Sequence, residues 1–416
     1  MTHRGCSRSP SWIEQSKFWT YCDVRKFDFG SNTNVEGLEM EKLTDKEESK
    51  HVPVIMGNCA PFRLVLRDTD TWSPTLKQIN SREYDYVKLC RLSCFIDIGI
   101  APFSLGISFD GSLILPVSDD FKTREPALDK FNETLGILLL GGIYSEAVQP
   151  TDISFGALFF DGYVKQYNSG TGHEASFHRA IQTKHVSTID VISLLSPKTM
   201  LSTEIETAYK KGKEHFAKLD KLSPSLLLNG TSNYVKHQWG ESIIFLWTSI
   251  EQIVNVIWTK EIIKNETDSN EGIEGRGKFL KDFRTWTIST KIELLYQKGF
   301  IKIEHYKQLN KARKSRNDFV HNGKKLTQKN VKCALDGLFS LLSLVISSYE
   351  KSNLLNDTLE AIYENQRGDL IPKKTTFSED EVTHWLSLPP LPGDNSWGDK
   401  EYEVIEELVL KPLINK

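Results

Sequence analysis

The sequence predicts an α+β protein, with a mixed β-rich to αβ N-terminal region followed by an all-α helical bundle. Three observations predict it. Short apolar runs punctuated by Gly and Pro fill the first half, among them "FRLVL", "LSCFIDIGI" and "FSLGISFDGSLILPV". Beyond Asn233 the apolar residues recur at helical spacing in "ESIIFLWTSIEQIVNVIW" and "ALDGLFSLLSLVISSY". A chain of 416 residues also exceeds what one ordinary core serves. These shifts divide it into residues 1–222, with a subdomain boundary near 80, a helical domain over 223–352, and an extension over 353–416.

Taken in order, residues 1 to about 80 are aromatic and irregular, with turn signals such as "FDFGSNTN" and "TWSPT", and read as β-rich. In the next stretch Asp110-Gly111 forms a hairpin turn between two strands, and "ALFFDGYVKQY" carries a second Asp-Gly turn. "REPALDKFNETLGILLLGGIY" reads as a helix with Pro126 in its first turn and Gly141-Gly142 at its end. "KTMLSTEIETAYKKGKEHFAKLDK" reads as a helix leading into the bundle. There, helices are expected near His237 to Ile262, across "KFLKDFRTW" and "STKIELLYQKG", from Ile303 to His321, and from Thr327 to Glu350. Ser289 or Thr290 serves as N-cap of the third and Gly299 as its stop. "LSLPPLPGDNSWGD" reads as a Pro- and Gly-rich linker or surface wrap.

Composition narrows the function. With 39% hydrophobic and 26% charged residues and a net charge of −3, nothing in the chain as a whole favours nucleic acid, so such binding needs a local patch. The six cysteines form no CxxC pair, and "MTHRGCSRSPSWIEQ" has no apolar core of a signal peptide, so a reducing cytoplasm is expected. The longest apolar runs are interrupted by polar residues and fall short of the ~18 to 20 a bilayer span needs. They are expected to be core helices, with no membrane partner. No cofactor motif stands out: "EGIEGRG" lacks the Gly-Lys-Ser/Thr of a phosphate loop. "HEASFH" (His173 to His178) spaces its histidines five apart, not the four that one helix face requires, so no metal is expected.

One place gathers charge. Between Lys302 and Lys332 stand ten Lys and Arg residues against Glu304 and Asp318, a positive field suited to a phosphate backbone. On a helix over Ile303–Val320, Tyr306, Ala312, Arg316 and Val320 fall within roughly 60° of Leu309. Arg316 therefore stands in the apolar stripe. Glu251 likewise sits between Ile244 and Trp258 on an apolar face, flanked by Trp247 and Val254. Charges so placed need partners, and a Glu251–Arg316 pairing in the bundle interior or a crevice is the expectation. His321, about 140° from Arg316, is expected in the last turn before Asn322-Gly323, where the helix dipole favours its protonated form.

"IIFLWTSIEQIV", "STKIELLYQKGFIKIEHYKQLNKARKSRNDFVHNGKKLT" and "ALDGLFSLLSLV" together resemble the HEPN superfamily, in particular its Apea-like branch, over about residues 233–351. The core of the resemblance is R-x4-6-H, here Arg316 and His321 with Asn317 in second place. The resemblance implies a dimerising HEPN bundle, metal-independent RNA cleavage (tRNA among the candidate substrates), and a role as toxin or abortive-infection effector in antiviral defence. It implies an acidic residue on the upstream helix, which maps to Glu251. Residues 1–222 would sense an unknown trigger or regulate activity. His321 would move protons as general acid or base, Arg316 would stabilise the transition state, and Asn317 would hold a phosphate oxygen or orient the imidazole. Arg313, Lys314, Lys324 and Lys325 would bind RNA.

Plainer readings compete. Arg316 and His321 could be basic residues offsetting a helix C-terminus, and Glu251 an internal anchor. Arg179 and His185 in "RAIQTKH" also satisfy the bare pattern, but without the asparagine or the flanking helices. The alternative of a different class is a non-catalytic HEPN-like module that binds RNA, a nucleotide or a protein and dimerises.

Overall fold

The computed structural model describes residues 51–69, 91–167, 198–264, 273–346, 354–367 and 376–388. Among them, strands β1 (His51–Gly57), β3 (Leu92–Ile100), β4 (Phe103–Ser108), β5 (Leu113–Pro116), β6 (Ile153–Phe159) and β7 (Val164–Tyr167) form one antiparallel sheet in the order β3-β4-β5-β1-β6-β7. Its tight turns are the expected Asp-Gly pairs: Gly111 and Gly162 have φ of 83° and 85°, a region open to glycine at no steric cost. Strands β2 (Arg63–Leu66) and β8 (Lys198–Leu201) pair in parallel as a separate ribbon. The "KTML" expected to open a helix is thus a strand, and the helix begins at Ser202. The β-branched and aliphatic residues of β2 offer it a ladder that local periodicity cannot reveal.

Alternation along β1 sorts the sheet's faces: Ile55 joins Leu105, Leu115 and Ile153 under the helices, while Val54 and Met56 join a small cluster on the opposite face. Helix α1 (Arg124–Leu140) covers the first face and ends at Gly141. Ala127, Phe131, Leu135 and Leu138 pack on the sheet, whereas Leu139 and Leu140 belong to a second core built by the helical half. Helices α2 (Ser202–Lys218) and α3 (Pro224–Val235) cross α1 at glycines. A Cβ on Gly212 would lie 2.0 Å from the Ile137 carbonyl oxygen, one on Gly141 1.9 Å from that of Ala208, and one on Gly136 2.3 Å from that of Pro224. Buried His215 of α2 approaches the Leu140 carbonyl with Nδ1 at 2.8 Å. A carbonyl only accepts, so Nδ1 carries a proton.

The second core is surrounded by α4 (Trp239–Trp258, continued by a π turn over Thr259–Lys264), α5 (Arg276–Lys281), α6 (Ile288–Gln297), α7 (Ile303–Asn322), α8 (Gln328–Ile346) and α9 (Leu354–Arg367). Against the expectation of a run too short for a bilayer, the α4–π segment is 26 residues long and apolar enough to cross a membrane by composition; most of it is buried among its neighbours, in keeping with the core role expected of it. Thr287, not Ser289 or Thr290, caps α6, its hydroxyl accepting from the Thr290 N–H at 3.3 Å. Gly299 follows that helix with φ of 78°. A short amphipathic helix, α10 (Glu379–Leu386), leaves Trp385 and Leu386 exposed. The expectations for residues 1–49, "TWSPT", "HEASFH", Arg179 with His185, most of the "NETDSNEGIEGRG" loop and the Pro-rich tail from Pro389 lie outside the described residues.

Candidate functional site

Helix α7 carries the residues singled out by charge and spacing. Acidic Glu304 in its first turn and His321 in its last suit the helix dipole. It stops where expected: Gly323 turns left-handed with φ of 61°, and the N–H groups of Gly323 and Lys324 bond the Phe319 and Asp318 carbonyls at 3.0 and 3.2 Å.

Besides Tyr306, which bonds Glu293 of α6, three contacts hold this helix against α8 and α4. Leu309 packs so close to α8 that a Cβ on Gly337 would lie 3.0 Å from its Cδ2. The buried Ser315 hydroxyl accepts from Asn330 Nδ2 at 3.0 Å, and Asn330 Oδ1 in turn accepts from the Thr327 N–H ahead of α8. Phe319 fills the space that Gly240 leaves in the first turn of α4; a Cβ there would lie 2.6 Å from its Cζ. The inward face is therefore centred nearer Ala312 than Leu309. Ser315 joins Leu309 and Ala312 in the interior, while Val320, expected in the stripe, is exposed. His305, in the first turn of α7, has a buried Nδ1 with no hydrogen-bond partner.

Arg316 is half-buried at the border of this face, and its Nη1 donates to Asn317 Oδ1 at 3.1 Å. No ion pair joins it to Glu251. The Glu251 carboxylate instead accepts from Trp247 Nε1 at 2.6 Å, one turn back on the same helix. The expected pairing is corrected by axial position. Phe319, one turn from Arg316, lies against Gly240, whereas Glu251 stands three turns further along α4, about 16 Å at 1.5 Å per residue. The indole N–H supplies the polar partner that a half-buried carboxylate needs.

His321 is exposed and accepts or donates no hydrogen bond within the described residues. Lys314, Lys324 and Lys325 are exposed too, Lys324 only 3.4 Å from Asp318. Arg313 is half-buried, and its Nε has no partner. Lys332 belongs elsewhere: its Nζ lies 3.5 Å from the centre of the Tyr363 ring and 3.3 Å from Asp336. Arg316, Asn317 and His321 thus share the last two turns of α7 with exposed lysines nearby in sequence; among the described residues Arg316 bonds Asn317 but not His321, and Glu251 stands apart.

Sequence reasoning passed over the turn between α3 and α4. His237 there takes φ of 60°, a conformation uncommon outside glycine, and its ring stacks on Trp239 at 5.0 Å and 15°. Trp239 also packs edge-on against Tyr234 at 5.6 Å, which ties this turn to α3. The signal was "KHQWG", where a helix stop meets a helix start without Gly or Asn at the stop. Among the described residues no cluster of His, Cys, Asp or Glu could hold a metal ion. Compared with known proteins, the chain matches no family model, no curated protein and no solved structure.

Proposed function

We propose that the protein is a metal-independent endoribonuclease of the HEPN type, working as a cytoplasmic effector in antiviral defence through a homodimer of its helical half. One observation carries the reading. Arg316 presents a half-buried guanidinium that pairs with no carboxylate among the described residues and donates to Asn317, on the same helix end that carries the exposed His321 imidazole and exposed lysines. A guanidinium in such a place is free to receive a phosphate, with most of its five donors unspent.

The chemistry follows from these groups. The lysines draw the RNA backbone to the helix end. His321 takes the proton of a ribose 2′-hydroxyl or returns one to the leaving 5′-oxygen. Arg316 bonds the phosphoryl oxygens as charge develops on them, and Asn317 holds the guanidinium in place. The products carry a 2′,3′-cyclic phosphate and a 5′-hydroxyl. The unattached imidazole finds its counterpart groups on the second copy.

A specific observation favours a second reading. His321 has no orienting partner among the described residues and Glu251 is engaged by Trp247, as in a module that binds RNA, a nucleotide or a protein without cutting it. Total tRNA incubated with purified protein in EDTA separates the two. Cleavage lost in His321→Ala and Arg316→Ala supports the nuclease. Equal cleavage by His321→Ala sinks it, and binding without cleavage by the parent selects the module.

A further inference from the structure

Away from the helix end described above, a cavity of about 40 Å³ lies between α1, α2, β2 and the Asp110-Gly111 turn. Its wall is mostly aliphatic, from Val65, Leu135, Leu138 and Ile205. One cation enters it, Arg63 of β2. Arg63 Nη1 donates to Ser145 Oγ at 2.8 Å and Nη2 to the Tyr144 carbonyl oxygen. These bonds engage two of the five N–H donors, and the other three find no acceptor among the described residues. Among the described residues no carboxylate lies within ion-pair distance of Arg63. Burial makes its protonated form harder to keep, and a half-buried cation with no counter-ion is costly.

The other polar groups on the wall do not neutralise it. Asp110 lines the cavity, but its carboxylate accepts from the Ser108 hydroxyl and, at 3.0 Å, from the Ser112 N–H, which hold it at the turn. The Cys59 thiol is pushed up to about 12, chiefly by burial, and is neutral at physiological pH.

Size and donor count narrow what fits. A water needs about 10–15 Å³ of such space, so the cavity takes roughly three waters or a ligand of four or five heavy atoms. A phosphate would bring more acceptor oxygens than one guanidinium can satisfy, and it has no use for an aliphatic wall. A carboxylate matches the fork of one arginine with two parallel bonds. We propose that this cavity binds a short-chain monocarboxylate of acetate or propionate size, its oxygens received by Arg63 and its alkyl end by Leu135, Leu138 and Ile205. The site belongs to the sheet-bearing half and is independent of the Arg316 reading.

Thermal unfolding of the full chain in sodium acetate or propionate, against sodium chloride and phosphate at equal ionic strength, tests it. The expected result is a saturable rise of a few degrees with the two carboxylates alone. The rise is absent in Arg63→Met and in Ile143→Phe, which fills the cavity while keeping the guanidinium and serves if the first variant does not fold. A parent protein that responds to the carboxylates no more than to chloride overturns the proposal. So does an equal response to phosphate, or a rise that survives in Ile143→Phe.

Discussion

Replacing Gly212 with alanine puts the α1–α2 crossing to the test. The new Cβ would lie 2.0 Å from the Ile137 carbonyl oxygen, backbone against backbone, with no side chain able to swing aside. Ordinary contact near 3.4 Å requires the helices to part by about 1.4 Å at that point. A gap of even 0.5–1 Å forfeits roughly a quarter to a half of each local dispersion contact. Ile205, Ala208 and Tyr209, all buried at this interface, would lose part of theirs. Alanine's better helix propensity returns about 1 kcal/mol. Overpacking of this kind costs about 1–3 kcal/mol, and the rigid partner places this case at the upper end, so a net loss of about 2 kcal/mol is expected. Urea unfolding followed by far-UV circular dichroism measures it. Gly277→Ala is the control, since a Cβ there meets nothing within 4 Å; it should be neutral or stabilising by a few tenths of a kcal/mol. If Gly212→Ala matches the parent in stability, the close crossing is not a constraint and the reasoning fails.

Further expectations concern other contacts. Glu251→Ala strands the Trp247 indole N–H and should cost about 1–2 kcal/mol; a double-mutant cycle with Trp247→Phe should show coupling, and additive losses would deny that the 2.6 Å bond matters. Burial lifts both the Cys59 and Cys94 thiols to about 12, leaving about one in ten thousand as thiolate at pH 8. Peptide mapping after native alkylation should find both unmodified until denaturant is added. The Glu293 carboxyl is held below its ordinary value chiefly by the Tyr306 hydroxyl and next by Gln297, and the Tyr306 hydroxyl is held above its own by Glu293. The stability this bond gives is therefore present above the ordinary carboxyl range and lost as pH falls through the depressed Glu293 value. It is also lost as pH rises past 10, where the unfolded tyrosine ionises first. The gap between parent and Tyr306→Phe in urea midpoint should narrow at both extremes, and a gap constant with pH would deny the linkage.

What the sequence made legible was local chemistry. The Asp-Gly turns, the exit from α1 through Gly142 at φ of 104° and the stop at Asn322-Gly323 depend on backbone conformations that a few residue types favour, so they can be read one residue at a time. Helix α3 escaped notice although Ser223 and Pro224 form an ordinary start, because "NGTSN" at its centre has the composition of a loop. Strand β8 escaped because its ladder partner, β2, is more than a hundred residues away. Glu251 shows a different limit. Periodicity gives the direction a side chain takes around its helix but not how far along its neighbour it falls, and that offset decided between Arg316 and Trp247. The α7 stripe was displaced for the same reason, since Phe319 and Gly240 set the rotation that the helix adopts.

Helix α1 belongs to both cores at once, and this limits how the molecule can be divided. A fragment beginning at residue 223 would leave Leu139, Leu140, Tyr144 and Leu219 behind, side chains that are almost wholly enclosed in the helical core. The bundle would be left with an open apolar floor and a strong tendency to self-associate. Proteolytic trimming is thus a poor way to liberate whatever the helical half does. Because one helix serves both cores, loosening either half uncovers apolar side chains on which the other is built.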